Sequence, residues 1–329
     1  MAEYVINKTD EKYVQKDLKL ISGYDKLQLS AIAMEPAKAW FPEAKGVVVL
    51  VHGMAEHKER YIPFMQFLAE NGYISLIHDH RGHGASVLSE DDLGFLYKNG
   101  EDGIVNDVVQ MVQYAKAKYH LPVHLFGHSM GSLIVRLFLQ KHDTEIDSLT
   151  ISGCVGPNGA AGIGGKLAAM IGKFKGDHYR SPFLNNMAFG TYNKNIPEAK
   201  SVFAWLSVNE ENVKAYEEDP LCGYCFTANG FEALMKMVKG CYDAGRYQAK
   251  HIDMPILFVS GKDDPCYNGE KGWNKAIDFI KKLGYVDVEG ELIEGMRHEI
   301  LNETDHEKVY EMILGNIEKA YRIKERQKQ

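Results

Sequence analysis

Apolar positions along the chain come in short blocks that end at Gly or at a polar cluster. "KLQLSAIAM" alternates apolar and polar, as a half-buried strand does. "GVVVLVHG", "YISLIHD", "VHLFG", "SLTISG" and "PILFVSG" are short, mainly apolar runs that read as parallel strands buried on both faces of a sheet. Helical spacing lies between them, over Tyr61–Glu70, Ile104–Tyr119 and Ser132–Gln140. It returns after the last run, over Gly272–Lys282 and Glu307–Tyr321, where Val309, Ile313, Ile317 and Tyr321 form an i, i+4 stripe. Strands alternating with helices predict an α/β chain with a mainly parallel sheet covered on both faces. The alternation fails from about Val155 to Lys250, where Gly, Asn and aromatics are dense. The pattern there predicts a helical insertion (155–250) within one core formed by 1–154 and 251–329.

Composition narrows the class. The chain has 329 residues, 45% hydrophobic and 25% charged, with a net charge of −7, the profile of a soluble globular protein. A nucleic-acid partner is not expected, because phosphate binding needs a basic surface. The N-terminal stretch has no apolar leader segment, no run is long enough to cross a bilayer, and neither end carries a lipidation motif, so the cytoplasm is the expected compartment. Five cysteines, an odd number at low density, argue against a disulfide framework.

"VHLFGHSMGSLIV" carries the strongest chemical signal. A strand meets Gly-His-Ser-Met-Gly and then a helical run, which is the G-x-S-x-G nucleophile elbow in its required strand–turn–helix setting. The turn is so tight that Ser129 must strain its backbone, and a side chain at Gly127 or Gly131 would strike neighbouring main chain. In return the hydroxyl stands at a helix start, where backbone N–H groups and the helix dipole favour developing negative charge. An elbow needs two oxyanion donors. The residue after the serine, Met130, supplies one, and the loop after an earlier strand supplies the other; "VVVLVHGMAEH" places Met54 there. His52 and His57 are expected to hold that loop by hydrogen bonding. "HDHRGHG" adds His78, Asp79, His80 and His83, but their spacing fits no helix-borne metal pair, so no metal site and no cofactor are expected. A serine nucleophile also needs a base oriented by an acid, and His298 in "ELIEGMRHEILNE", before the last helix, completes the order Ser129, an Asp, His298. The acid lies in "SGKDDPC". Adjacent side chains in extended backbone point to opposite sides, so only one of Asp263 and Asp264 can reach the imidazole. Pro265 restricts Asp264 to an extended backbone, which helps to fix its direction.

"HGMAEH", "DHRGHGAS", "GHSMGS", "SGKDDPC" and "EGMRHE" together make the chain resemble the α/β-hydrolases of the monoacylglycerol lipase and lysophospholipase group, over residues of about 46 to 302. The resemblance implies an α/β-hydrolase fold with an eight-stranded sheet and a helical cap inserted after the sixth strand. It implies ester hydrolysis through an acyl-enzyme on Ser129, with His298 as base and the N–H groups of Met54 and Met130 as oxyanion donors. The family spacing after the strand lands on Asp264, leaving Asp263 as a turn residue bonding backbone N–H groups. A small lipid-like ester, a monoacylglycerol or lysophospholipid, is then the expected substrate. A short-chain carboxylesterase, a thioesterase or a peptidase would share the fold, as would a non-catalytic ligand-binding protein.

Within the insertion, Ile163, Leu167, Met170, Ile171 and Phe174 fall on one helix face. That stripe either packs as core or lines a substrate pocket and touches a lipid surface, with Lys166 and Lys173 near headgroups. "CGYC", Cys222 to Cys225, sits in a loop, and free thiols are the expectation there.

Overall fold

A computed structural model describes residues 3–327. Nine strands form one sheet: β1 (Glu3–Thr9), β2 (Tyr13–Ile21), β3 (Gln28–Pro36), β4 (Gly46–Val51), β5 (Tyr73–His78), β6 (Val123–His128), β7 (Ser148–Ser152), β8 (Ile256–Gly261) and β9 (Val288–Ile293). Their order is β1-β2-β3-β5-β4-β6-β7-β8-β9. The first three strands and the β3–β5 pair are antiparallel, and every other pair is parallel. The apolar runs became β4 to β8, and all five are buried along their whole length. The helices of the core are α1 (Ile62–Glu70), α2 (Gly100–Tyr119) and α3 (Met130–His142).

The sheet has nine strands where eight are expected, and the inserted helices follow the seventh strand rather than the sixth. The additional pairing lies at the N-terminal edge. β2 reads "YVQKDLKLI" and buries only Tyr13, Gln15, Leu18 and Leu20. A hairpin at the margin of a sheet draws on backbone hydrogen bonding and partial burial, so it needs no continuous apolar run. β9, "VEGELI", is likewise exposed along its middle at the opposite edge.

Between β7 and β8 come α4 (Ala161–Lys175), α5 (Pro182–Phe189), α6 (Glu210–Glu218) and α7 (Ala228–Gly240); α8 (Gly269–Lys282) and α9 (Glu307–Gln327) return to the core. One sheet face packs against α2, α3 and α8, with Val108, Leu133, Phe138 and Ile280 in that core. The other packs against α1 and α9 through Phe64, Leu68, Val309 and Ile313. The parallel strands thus have both faces covered, and their C-terminal ends all open toward the inserted helices, where ligands of open α/β sheets bind.

Candidate active site

The elbow forms because two backbone approaches are closer than any side chain allows. A Cβ on Gly127 would lie 2.4 Å from the Gly131 carbonyl oxygen, and one on Gly131 would lie 2.1 Å from that of Val51. β6 can therefore turn directly into α3. Ser129 occupies the turn with φ 56° and ψ −117°, a conformation that non-glycine residues rarely adopt. Its Oγ donates to His298 Nε2 at 2.8 Å, and His298 Nδ1 donates to Asp264 Oδ2 at 2.9 Å. Both the imidazole and that carboxylate are buried. Burial works against charge on His298, but the charge and hydrogen bond of Asp264 prevail and raise its pKa above the ordinary histidine value.

The two adjacent acids separate as extended backbone requires. Asp264 turns inward, while Asp263 is exposed and its backbone N–H donates to the Met296 carbonyl. The bond to a turn N–H expected of Asp263 is made by Asp264 instead, whose Oδ1 accepts from Cys266 N at 2.8 Å. One carboxylate thus orients the imidazole and closes its own turn.

Met54 and Met130 both stand beside Ser129 in the cavity wall. Among the described residues no acceptor is paired with the backbone N–H of either. Neighbouring groups hold the loop that carries Met54. Gly53 N–H donates to Glu56 Oε1 at 2.5 Å, and the buried His52 ring spans the loop, donating to Gly53 O and accepting from His80 N–H. His52 thus has the structural part expected of it. The rings of His80 and His83 pack against it, with the His52 and His80 rings 3.9 Å apart, His78 meets His80 edge-on, and Asp79 is taken by Lys58.

Above Ser129 opens a cavity of about 670 Å³, within the usual range for small-molecule sites. Of the helix stripe, Ile163 and Leu167 line it. Met170 and Ile171 do not: Met170 is exposed, and Ile171 packs against the core beside it. The cause is the way α4 lies on α7. Its buried face is Ala161, Gly164, Ala168 and Gly172. Small residues let the two helices approach closely, so the large side chains turn to the flanks, some toward the cavity and some toward solvent.

Sequence reasoning missed several residues around the imidazole. Trp205, from a short 3-10 turn between α5 and α6, packs its ring 5.0 Å from that of His298. Arg60 grips Glu299 through two 2.7 Å bonds and Glu56 through one of 2.8 Å, linking the residue after His298 to the Met54 loop. Glu303 accepts from Arg297 N and from Ser207 Oγ, stapling the His298 loop to the inserted segment. The Glu of HG-x-x-E-H and the Glu after His298 carried a faint signal, but their common partner Arg60 could not be read without the fold.

A family model described as "Serine aminopeptidase, S33" matches residues 42–305. The chain is 28% identical to a monoacylglycerol lipase of Mycolicibacterium smegmatis, over 82% of this chain and 88% of that one. It is 27% identical to a monoglyceride lipase of Saccharomyces cerevisiae, over 84% of each. Among solved structures, a carboxyl esterase from Bacillus coagulans in complex with glycerol superposes with a TM-score of 0.83 at 22% identity, over 93% of this chain and 98% of that one. A soluble variant of the Saccharomyces cerevisiae monoglyceride lipase with a substrate analogue superposes at 0.71 and 21% identity, over 96% and 98%. These likenesses establish an α/β-hydrolase fold.

Proposed function

Because the chain belongs over residues 42–305 to the hydrolase family described as serine aminopeptidase, S33, we propose that it hydrolyses carboxylic esters of lipid-like substrates, monoacylglycerols or lysophospholipids, through an acyl-enzyme on Ser129. The observation that carries this reading is His298 bonded at once to Ser129 and to Asp264, at the floor of a largely apolar cavity.

In the reading, Ser129 Oγ attacks the ester carbonyl and His298 Nε2 takes its proton. Asp264 holds the imidazole in the tautomer that can accept and stabilises the imidazolium that forms. The N–H groups of Met54 and Met130 receive the oxyanion; a donor of this kind contributes about 3–4 kcal/mol in a site that excludes water. His298 then protonates the departing alcohol and activates water for deacylation. Ser129→Ala should lower ester turnover by about 10⁴-fold or more with the fold intact, measured with p-nitrophenyl esters and a thermal melt. Wild-type turnover in that variant would end the assignment.

The family description favours a second reading, an aminopeptidase. Such an enzyme needs a free carboxylate to take the substrate's ammonium group. The acids lining this cavity are Glu56 and Glu299, and both are bonded to Arg60. Leu167, Met187, Phe189, Leu234 and Val238 line the rest and suit an acyl chain, at about 0.8 kcal/mol per methylene removed from water. A panel of monoacylglycerols, lysophospholipids, acyl thioesters, short esters and aminoacyl anilides discriminates: turnover that rises with acyl length supports the lipid ester, and turnover confined to anilides supports the peptidase.

The segment 155–250 is proposed to act as a cap over this cavity. Ile163, Phe174 and Phe183 stand 73%, 77% and 61% exposed on it beside the exposed Lys166 and Lys173, which supports transient contact with a membrane surface. Among the described residues no helix is long and apolar enough to cross a membrane. The five cysteines are free, in keeping with a cytoplasmic location.

A further inference from the structure

Away from the serine, the loop after α6 folds back onto the stretch between Met54 and α1. Tyr216 Oη and Gly223 N–H both donate to the Ala55 carbonyl, at 2.8 and 3.0 Å. At this seam His57, Asp219 and Cys222 bring one ligand atom each within 4.8 Å of the others. We propose that His57, Asp219 and Cys222 form a binding site for a thiophilic divalent cation, Zn²⁺ in the first instance, which clamps the inserted segment to the loop that carries Met54.

The ligand chemistry is that of an open zinc site. Imidazole nitrogen, carboxylate oxygen and thiolate sulfur are the three donor types zinc takes, and three protein ligands leave a fourth position for water. Tetrahedral zinc sets its donors at about 2.0 to 2.3 Å from the metal, hence roughly 3.3 to 3.7 Å from one another. His57 Nε2 and Asp219 Oδ2 are now 2.8 Å apart, so the pair opens by less than an ångström to admit the ion, and Cys222 closes on it. Ligation replaces the proton on Nε2 and the proton of the Cys222 thiol. Two protons leave for one cation, and no redox change is involved.

The imidazole already has the second partner that metal-bound histidines show. Its Nδ1 donates to Glu59 Oε2 at 2.7 Å, which turns Nε2 toward the ion and raises the basicity of the ring. An entry path exists as well: the Asp219 side chain is 31% exposed, while His57 is 9%. None of the three residues lines the cavity above Ser129, so the site is separate from the ester chemistry.

Asp264, Cys266 and His298 also lie within reach of one another, but they do not compete well. Asp264 bonds Nδ1 of that imidazole, whereas Cys266 faces Nε2 at 3.8 Å, the nitrogen that Ser129 occupies. Both ring nitrogens of His298 are thus already committed, Nδ1 to Asp264 and Nε2 to Ser129, so an ion there would have to displace the nucleophile. At His57 the acid on Nε2, Asp219, is itself a ligand, and Glu59 on Nδ1 supports the ring from its other edge.

The test uses the full chain, stripped with a chelator and titrated with CoCl₂, whose thiolate complexes show a charge-transfer absorption in the near ultraviolet. One ion per chain with that absorption is expected, displaced by Zn²⁺. Cys222→Ser should abolish the absorption and weaken binding by at least tenfold. Asp219→Asn, at a partly exposed position that the fold tolerates, should weaken binding by a similar factor. Cys225→Ser and Cys266→Ser should leave both unchanged. Zn²⁺ should raise the Tm of the wild-type chain, by mass action on the folded state, but not that of Cys222→Ser. The proposal is overturned if cobalt gives no charge-transfer absorption, if the absorption survives in Cys222→Ser, or if it disappears in Cys266→Ser, which would place the ion at the Ser129 site.

Discussion

Two stretches of this chain are rich in glycine, and they use it for opposite reasons. In "GHSMG" the glycines face main-chain carbonyl oxygens, of α3 for Gly127 and of β4 for Gly131, and a methyl group would come within 2.4 Å at Gly127 and 2.1 Å at Gly131. In "AAGIGGKLAA", at the start of α4, a Cβ on Gly162 would meet nothing within 4 Å, and one on Gly164 would come to 3.3 Å from the flexible Met235 side chain. The first stretch is dictated by covalent geometry. The second is a packing choice that lets α4 lie close on α7. The contrast teaches which glycines mark a fixed turn: those whose missing Cβ would strike main chain that cannot retreat.

The comparison can be broken or sharpened in steps of falling size. On the elbow side, Asp264→Asn should lower kcat about 10⁴-fold, because the imidazole loses the partner that sets its tautomer, whereas Asp263→Asn should stay within about twofold. Steady-state kinetics on the two variants check this, and the reverse pattern would exchange the roles of the two acids. Gly131→Ala, in turn, should cost about 4 kcal/mol or more in urea unfolding, since neither β4 nor the elbow can retreat. Gly164→Ala should cost less than about 1 kcal/mol, and by helix propensity could even stabilise.

Acid should act on the core side. Burial holds the pKa of His78 and of His83 down at about 4, against an ordinary histidine value of 6.5, and holds His52 and His80 well below it. The unfolded chain takes up these protons as pH falls past 6.5, while the native chain does not until about 4. Stability present above pH 6.5 is therefore lost across that window, by about 3 kcal/mol for each of the two, as Tm measured against pH will show. Activity should meanwhile rise with pH through a value above 6.5, because His298 acts as a base only when neutral and its own pKa is raised. The smallest effect belongs to the cap. Leu167→Ala should raise KM for long acyl chains by about tenfold, from one to two kcal/mol of lost burial, and leave short esters and Tm nearly unchanged.

Legibility followed the same division. The runs of β4 to β8 were readable because a strand covered on both faces excludes Asp, Glu, Lys and Arg, and none of the five contains one. β1, β2 and β9 were not, because the β1–β2 hairpin and the β9 edge are stabilised largely by backbone bonds that any residue can make. Ser129, the Asp263–Asp264 pair and His298 were readable in chain order because each follows a strand whose end the glycines mark. Arg60 was not, since its partners Glu56 and Glu299 lie 4 and 239 residues away and meet only at the seam between two loops. Met170 and Ile171 looked equivalent to Ile163 and Leu167 on a helical wheel; which of them meets the cavity was decided by the close contact of α4 with α7.

The sequence by itself determined the parallel core, the elbow and the pairing of Ser129, His298 and an adjacent acid. These rest on local sterics and on periodicity, both of which act between near neighbours in the chain. Only the tertiary structure decided which acid faces inward, which side chains of the insertion enclose the cavity, and how His57, Asp219 and Cys222 come together from opposite sides of a seam. Those outcomes depend on distances between segments far apart in sequence, and no local pattern records such distances.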